Sequence, residues 1–224
     1  MTREHLTLAD EVYTGKVTYP LVQSNKPGVA VTELLRYHSY GAIVLADADG
    51  VSASQSVTAP AAALIDGALA AGGVATFDVA RNVVAAWTGT AVLTITGTDQ
   101  YGAVMIEVSA SGTSHTGAKA FKTVTSVVPS ANVTGLTVGS GVVIGLPHRV
   151  DANALIIKNM DNAITTGTFV PAVTTDPATG TTGDVRGTVS FGSAPDGTRI
   201  YSVLYKIAGG ATKAQAYGVD QYDG

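Results

Sequence analysis

Between Val92 and Val127 the chain reads "VLTITGTDQYGAVMIEVSASGTSHTGAKAFKTVTSV". Apolar and polar residues alternate there with a period of two, and glycine-flanked corners interrupt them. That period belongs to a strand with one buried and one solvated face, not to a helix of 3.6 residues per turn. In "TAVLTITG", Ala91, Leu93 and Ile95 fall on one face, and Val92, Thr94 and Thr96 on the other. "TDQYG" then supplies a turn, with Asp99 able to bond nearby backbone and Gly102 free to take positive φ. On its apolar pattern the return segment "AVMIEV" is expected to turn Val104, Ile106 and Val108 inward, and Met105 and Glu107 outward.

Further strand signals follow in "AFKTVTSV", "NVTGLTV", "GVVIGL", "ALIIKN", "DVRGTVSF" and "RIYSVLYKI". In "DVRGTVSF", Val185, Val189 and Phe191 are expected to share one face, with Arg186, Thr188 and Ser190 on the other. "TAPAAALIDGALAAGG" reads as one short helix or a wide loop, since Pro60 permits a helix start while Gly67, Gly72 and Gly73 weaken it. Residues 170–184, rich in Thr, Gly and Pro, read as an exposed, mobile loop. "VDQYDG" near the end echoes "TDQYG", too briefly for a repeat. Many short strands without intervening crossover helices predict an all-β, antiparallel β-sandwich or barrel, Ig-like or jelly-roll-like, with an extended N-terminal arm. The expected division is an arm over residues 1–41, a β domain over 42–209 and a flexible tail over 210–224. In the arm, Pro20 and Pro27 remove ladder donors and confine the segment to edges or extended chain.

Composition narrows what such a scaffold is for. Charged residues make up 13% of the 224, against roughly 25% in an average soluble domain. Thr, Ser, Gly and Ala cover the strands instead, as expected of a surface that faces other protein. A net charge of −4 with scattered cations argues against a nucleic-acid groove. The absence of cysteine excludes disulfides and thiolate chemistry. The charged opening "MTREHLTLADEVYTG" lacks the apolar stretch of a secretory signal, and no apolar run approaches the ~18 residues of a membrane span.

Few residues are spaced for chemistry. His5, His38, His115 and His148 have no ligand-spaced neighbour and read as surface or turn residues. "GTSHTG" sets Ser114 beside His115, but adjacent residues on a strand point to opposite faces, and the segment reads as a loop. "GSGVVIG" has neither a P-loop lysine nor a dinucleotide fingerprint, so its glycines mark a bulge or a close backbone approach. "DADG" is an Asp/Gly turn rather than a calcium loop. In "FDVARNV", Asp78 and Arg81 can pair across a bend and latch the strand, with Phe77 and Val79 inward. No catalytic, cofactor-binding or metal residue is expected. Trp87, the one tryptophan, is expected in the core.

The order "GVATFDVARNVVAAW…LTITGTDQYGAVMIE…GAKAFKTVTSV…VGSGVVIGLP…TTGDVRGTV" resembles structural proteins of tailed bacteriophages, of the capsid decoration or cement type. The resemblance covers residues 73–189, and Ala80 stands where the pattern "DVPRNV" has proline. It implies a non-enzymatic virion protein, made in the host cytoplasm, that binds and stabilises the capsid shell. Its implied partners are the major capsid protein and copies of itself, as a dimer or trimer, with no nucleic acid, membrane or cofactor. Another virion component, such as a tail-tube, fibre or adhesion module, is the alternative, as is a carbohydrate-binding surface domain. The arm would supply the anchors, with Tyr13, Tyr19, Leu21, Leu34, Leu35 and Tyr37 as candidate interface residues.

Overall fold

The computed structural model describes residues 35–154, 156–176, 178–206 and 216–224. The described strands are β1 (Leu35–Ala42), β2 (Ser52–Val57), β3 (Ala70–Ala71), β4 (Val74–Ala91), β5 (Leu93–Thr98), β6 (Val104–Val108) and β7 (Gly112–Pro129). They continue with β8 (Val133–Gly145), β9 (Ile156–Met160), β10 (Ala163–Ile164), β11 (Phe169–Val170), β12 (Thr188–Val189) and β13 (Ile200–Lys206). All their pairings are antiparallel. A nine-stranded sheet in the order β11-β12-β8-β4-β7-β5-β6, with β2 on β8 and β3 on β4, curls into a half-barrel. A four-stranded sheet, β1-β13-β9-β10, packs across it.

Two apolar cores follow from this arrangement. Inside the curl, Phe77, Val83 and Trp87 of β4 meet Leu93, Ile95, Met105, Phe121, Val124, Leu136 and Val138. Between the sheets, Ile144, Leu146, Val189 and Phe191 meet Tyr201, Val203 and Tyr205, on one face of β13. Trp87 is buried, as the sequence predicts. Phe77 joins the first core, but Val79 packs against the second, so the two leave β4 on different sides.

Several sequence expectations are corrected. In β6, Met105 and Glu107 are the buried residues and Val104 is exposed. The reason is hairpin register. Thr98 pairs with Val104, Gly97 with Met105 and Ile95 with Glu107, and opposed residues of an antiparallel pair share a face. Ile95 is committed to the core, so Met105 and Glu107 go with it whatever the apolar pattern of five residues prefers. The other flank of β6 is covered as well. The Ile106 amide donates to the Tyr222 carbonyl and the Val108 amide to the Gly180 carbonyl.

Residues 219–224 and the segment 178–185 are therefore docked on their own body, not a frayed tail and a free loop. Val219, Ala178 and Val185 form a third, small core there. Val185 does not share a face with Val189 and Phe191, because the chain turns between them and the strand is only Thr188–Val189. "GTSHTG" lies inside β7 rather than in a loop. "NVTGLTV" and "GVVIGL" fuse into the single strand β8. The segment before β3 is a wide loop, not a helix. Residues 35–41, assigned to the arm by their irregular surroundings, belong to β1 and pair with β13 from Leu35↔Lys206 to Ala42↔Ile200.

The register of β6 has a direct check. Met105→Ala, at a site with 0% exposure, is expected to cost about 2–5 kcal/mol in urea unfolding. Val104→Ser, at 51% exposure, is expected to stay within about 0.5 kcal/mol of the wild type. The reverse ranking would restore the face assignment read from the apolar pattern.

Candidate functional site

The charged residues that look idle in sequence converge on the places where the ladder is broken. Opposite Asn82 and Val83 of β4, both neighbouring strands bulge. Residues 117–119 of β7 face Val83 alone, between Asn82↔Ala120 and Val84↔Thr116. Residues 141–143 of β8 face Asn82 alone, between Arg81↔Ile144 and Val83↔Ser140. Such bulges curl a sheet, but they also take amide groups off the ladder, and buried amides need acceptors.

Side chains supply them. Glu107 Oε1 accepts from the Ala118 amide (2.6 Å) and the Lys119 amide (3.2 Å). Asn82 Oδ1 accepts from the Val143 amide (3.0 Å). Both approaches need glycine beneath them. A Cβ on Gly117 would stand 2.6 Å from Glu107 Oε2, and one on Gly141 would stand 2.2 Å from Asn82 Oδ1. On the next amide of β7, Asp184 Oδ2 accepts from Ala120 (3.0 Å), while Oδ1 accepts from its own loop at Arg186 (2.8 Å).

A third irregularity lies on β4 itself, where residues 77–80 oppose Lys122 alone. Lys122 Nζ donates to the Phe77 carbonyl (2.6 Å) and the Asp78 carbonyl (2.9 Å). The Asp78–Arg81 latch expected from the sequence is present, and it does more than pair. Asp78 Oδ2 accepts from the Val44 amide and Arg81 donates to the Val44 carbonyl, so the latch also holds the segment after β1. Burial pulls the Arg81 guanidinium below its ordinary range, and the Asp78 carboxylate opposes that.

The seam between the hairpin, the C-terminal segment and the second sheet is also polar. Asp99 Oδ1 caps its turn through the amides of Tyr101 (2.8 Å) and Ala103 (3.0 Å), the role read from "TDQYG". Its Oδ2 accepts from Arg186 Nη1 at 2.8 Å, with both side chains buried, and from Gln221 Nε2 at 3.3 Å. The two echoing "DQY" stretches thus meet in space. Arg186 lies 5.3 Å from the Tyr101 ring centroid, and the Tyr101 hydroxyl donates to the Pro147 carbonyl.

His148 joins this seam to the four-stranded sheet. Its Nδ1 lies 2.7 Å from the Tyr205 hydroxyl, and Arg36 Nη1 lies 3.4 Å from its Nε2. Since Arg36 can only donate, Nε2 accepts and the neutral ring carries its proton on Nδ1. Burial, then the cations Arg36, His38 and Arg186, lower its pKa from 6.5 to about 4.

Of the histidines, expected at the surface or in turns, His148 lies in the bend after β8 but is buried, and His115 lies inside β7 against Glu107. His38 stacks edge-on against Tyr40, and His5 lies outside the described residues. Among the candidate interface residues, Tyr13, Tyr19, Leu21 and Leu34 also lie outside them. Leu35 opens β1, and Tyr37, 47% exposed, stands opposite Leu204 on the four-stranded sheet. Sequence reasoning missed the Glu107–His115–Lys119 and Asp99–Arg186 groupings, because their members lie on different strands and loops. Only the glycine at 117 and the acidic residue in an apolar strand hinted at them. Among the described residues, no cluster of His, Asp and Glu could hold a metal, and no helix is long and apolar enough to cross a membrane. Comparison with protein-family models, with curated proteins and with solved structures returns no match for this chain.

Three outcomes follow. Glu107→Ala would strand the buried Lys119 amide and the part-buried Ala118 amide beside a buried ammonium, and a loss of about 3–5 kcal/mol in chemical unfolding is expected. Gly117→Ala is expected to lose about 1–3 kcal/mol by overpacking the same spot. A Glu107→Ala variant as stable as the wild type would show that the bulge needs no carboxylate. For His148 the folded pKa lies below the unfolded one, so the unfolded chain binds the proton first. Its stabilisation is full above pH 6.5 and disappears as the pH falls to about 4. The melting temperature of His148→Gln should accordingly fall less than that of the wild type across this window.

Proposed function

We propose that the chain is a non-enzymatic structural protein of a tailed-bacteriophage virion that binds and stabilises the capsid shell, as decoration or cement proteins do. The observation that carries this reading is where charge and apolar surface lie. Arg81, Asp99, Glu107, Lys119, Asp184 and Arg186 are buried, in a chain already short of charge. Large apolar side chains also stand outside, including Tyr37, Leu45, Leu64, Val142, Ile164 and Val170. A free monomer gains nothing from exposing those apolar groups, whereas a protein covered by neighbours buries them and has few charges to desolvate at its contacts.

The bulge plugs and seam ion pairs described above suit the same task, since a clamp must keep its shape under load. Stable attachment needs roughly 1,000 Å² or more of buried surface, and several copies on one shell gain by avidity. The major capsid protein and further copies of the chain are the partners. Tyr37 and the residues before β1, with Tyr13, Tyr19, Leu21 and Leu34, are the proposed anchors.

The purified chain is expected to co-sediment with phage heads that lack it and to raise the temperature at which they open. Electron microscopy of the loaded particles should place it on the shell. Tyr37→Asp should weaken attachment at least about tenfold while leaving the melting temperature unchanged, as a surface anchor does. Density on the tail, or no binding at all, would overturn the proposal.

A further inference from the structure

Three polar atoms around the β7 bulge are buried without a hydrogen-bond partner: Glu107 Oε2, His115 Nε2 and Lys119 Nζ. Lys119 has 0% exposure, and its ammonium forms none of the ion pairs found among the described residues. Glu107 Oε2 and His115 Nε2 are 3.5 Å apart, close enough to attract but not aligned as a hydrogen bond. The carboxylate cannot swing to mend this. Its Oε1 is held by the Ala118 and Lys119 amides, which leaves Oε2 over the bare Cα of Gly117. Burial pulls Lys119 below its ordinary range, while the Asp184 and Glu107 carboxylates act the other way, so the amine feels both without touching either.

A ligand for these atoms must accept from an ammonium and donate to a carboxylate. An anion is repelled by Glu107 and Asp184, and a cation by Lys119. A neutral molecule with both roles, and small enough for the bulge, is water. We propose that the bulge of β7 binds one internal water molecule, held by Lys119 Nζ, Glu107 Oε2 and His115 Nε2. The water accepts from Nζ and donates to Oε2 and to Nε2, which places the His115 proton on Nδ1. Three bonds are typical of a buried water. The site is independent of what the protein attaches to, and it ties β6 to β7 through the side chains that plug the bulge.

A crystal structure of the full chain at a resolution that shows ordered water is expected to place one peak within about 2.6–3.2 Å of all three atoms. In solution, a long-lived water should give a rotating-frame Overhauser signal to the Ala118 or Lys119 amide. Lys119→Met should abolish both. Because that variant can fail to fold, the wild-type map stands by itself. No peak, with Nζ resting directly on a carboxylate, would overturn the proposal. So would a peptide map in which the Lys119 peptide is joined to the Glu107 or Asp184 peptide with the loss of one water, since that would show the amine bonded to a carboxylate as an amide.

Discussion

A strand that runs through a curled sheet cannot keep every backbone amide on the ladder. β4 and β7 are each 18 residues long, and the sheet bends around the core they enclose. Bulges allow the bend, and each one takes N–H or C=O groups off the ladder, some of them buried. An unpaired buried amide costs about 1–3 kcal/mol, so a sheet with three such breaks along β4, two against β7 and one against β8, would be badly weakened. Side-chain acceptors and donors solve the problem here. Glu107 and Asp184 take the amides of β7, Asn82 takes an amide of β8, and Lys122 takes the carbonyls of β4. The rest of the fold depends on those four contacts.

That use of charge also shapes the surface. Carboxylates, guanidinium groups and an ammonium are drawn inward, where they join segments distant in sequence. Asp99 reaches both Arg186 and Gln221, and Arg81 reaches Val44. Outside, exposed aspartates such as Asp49, Asp66 and Asp161 stand among apolar side chains such as Leu45, Leu64 and Ile164. The proposed shell attachment would draw on both features, a surface with few charges and an interior network that stiffens the body.

Much of the architecture was legible because it rests on local chemistry. The alternation around Leu93 and Ile95, the Asx turn at Asp99, the Asp78–Arg81 latch and the burial of Trp87 each follow from a few neighbouring residues. The failures share a different cause. Val104, Ile106 and Val108 look like the inward set of β6, but a five-residue strand is too short to overrule the register imposed by its hairpin with β5. Ser114 and His115 look like a loop, because nothing in "GTSHTG" reveals that β4 lies alongside. Residues 219–224 look like a loose end, because their partner, the flank of β6, is more than a hundred residues away.

By itself the sequence determined an antiparallel β protein, its turns, its shortage of charge and the strand faces around Leu93 and Ile95. These depend on a period of two and on residues that choose their own backbone conformation. Only the tertiary structure decided which broken amide each buried charge would serve, and that Glu107, His115 and Lys119 would share one bulge. The physical reason is that a bulge is a mismatch between two strands. Its position, and the side chain that can reach it, exist only once the strands have met.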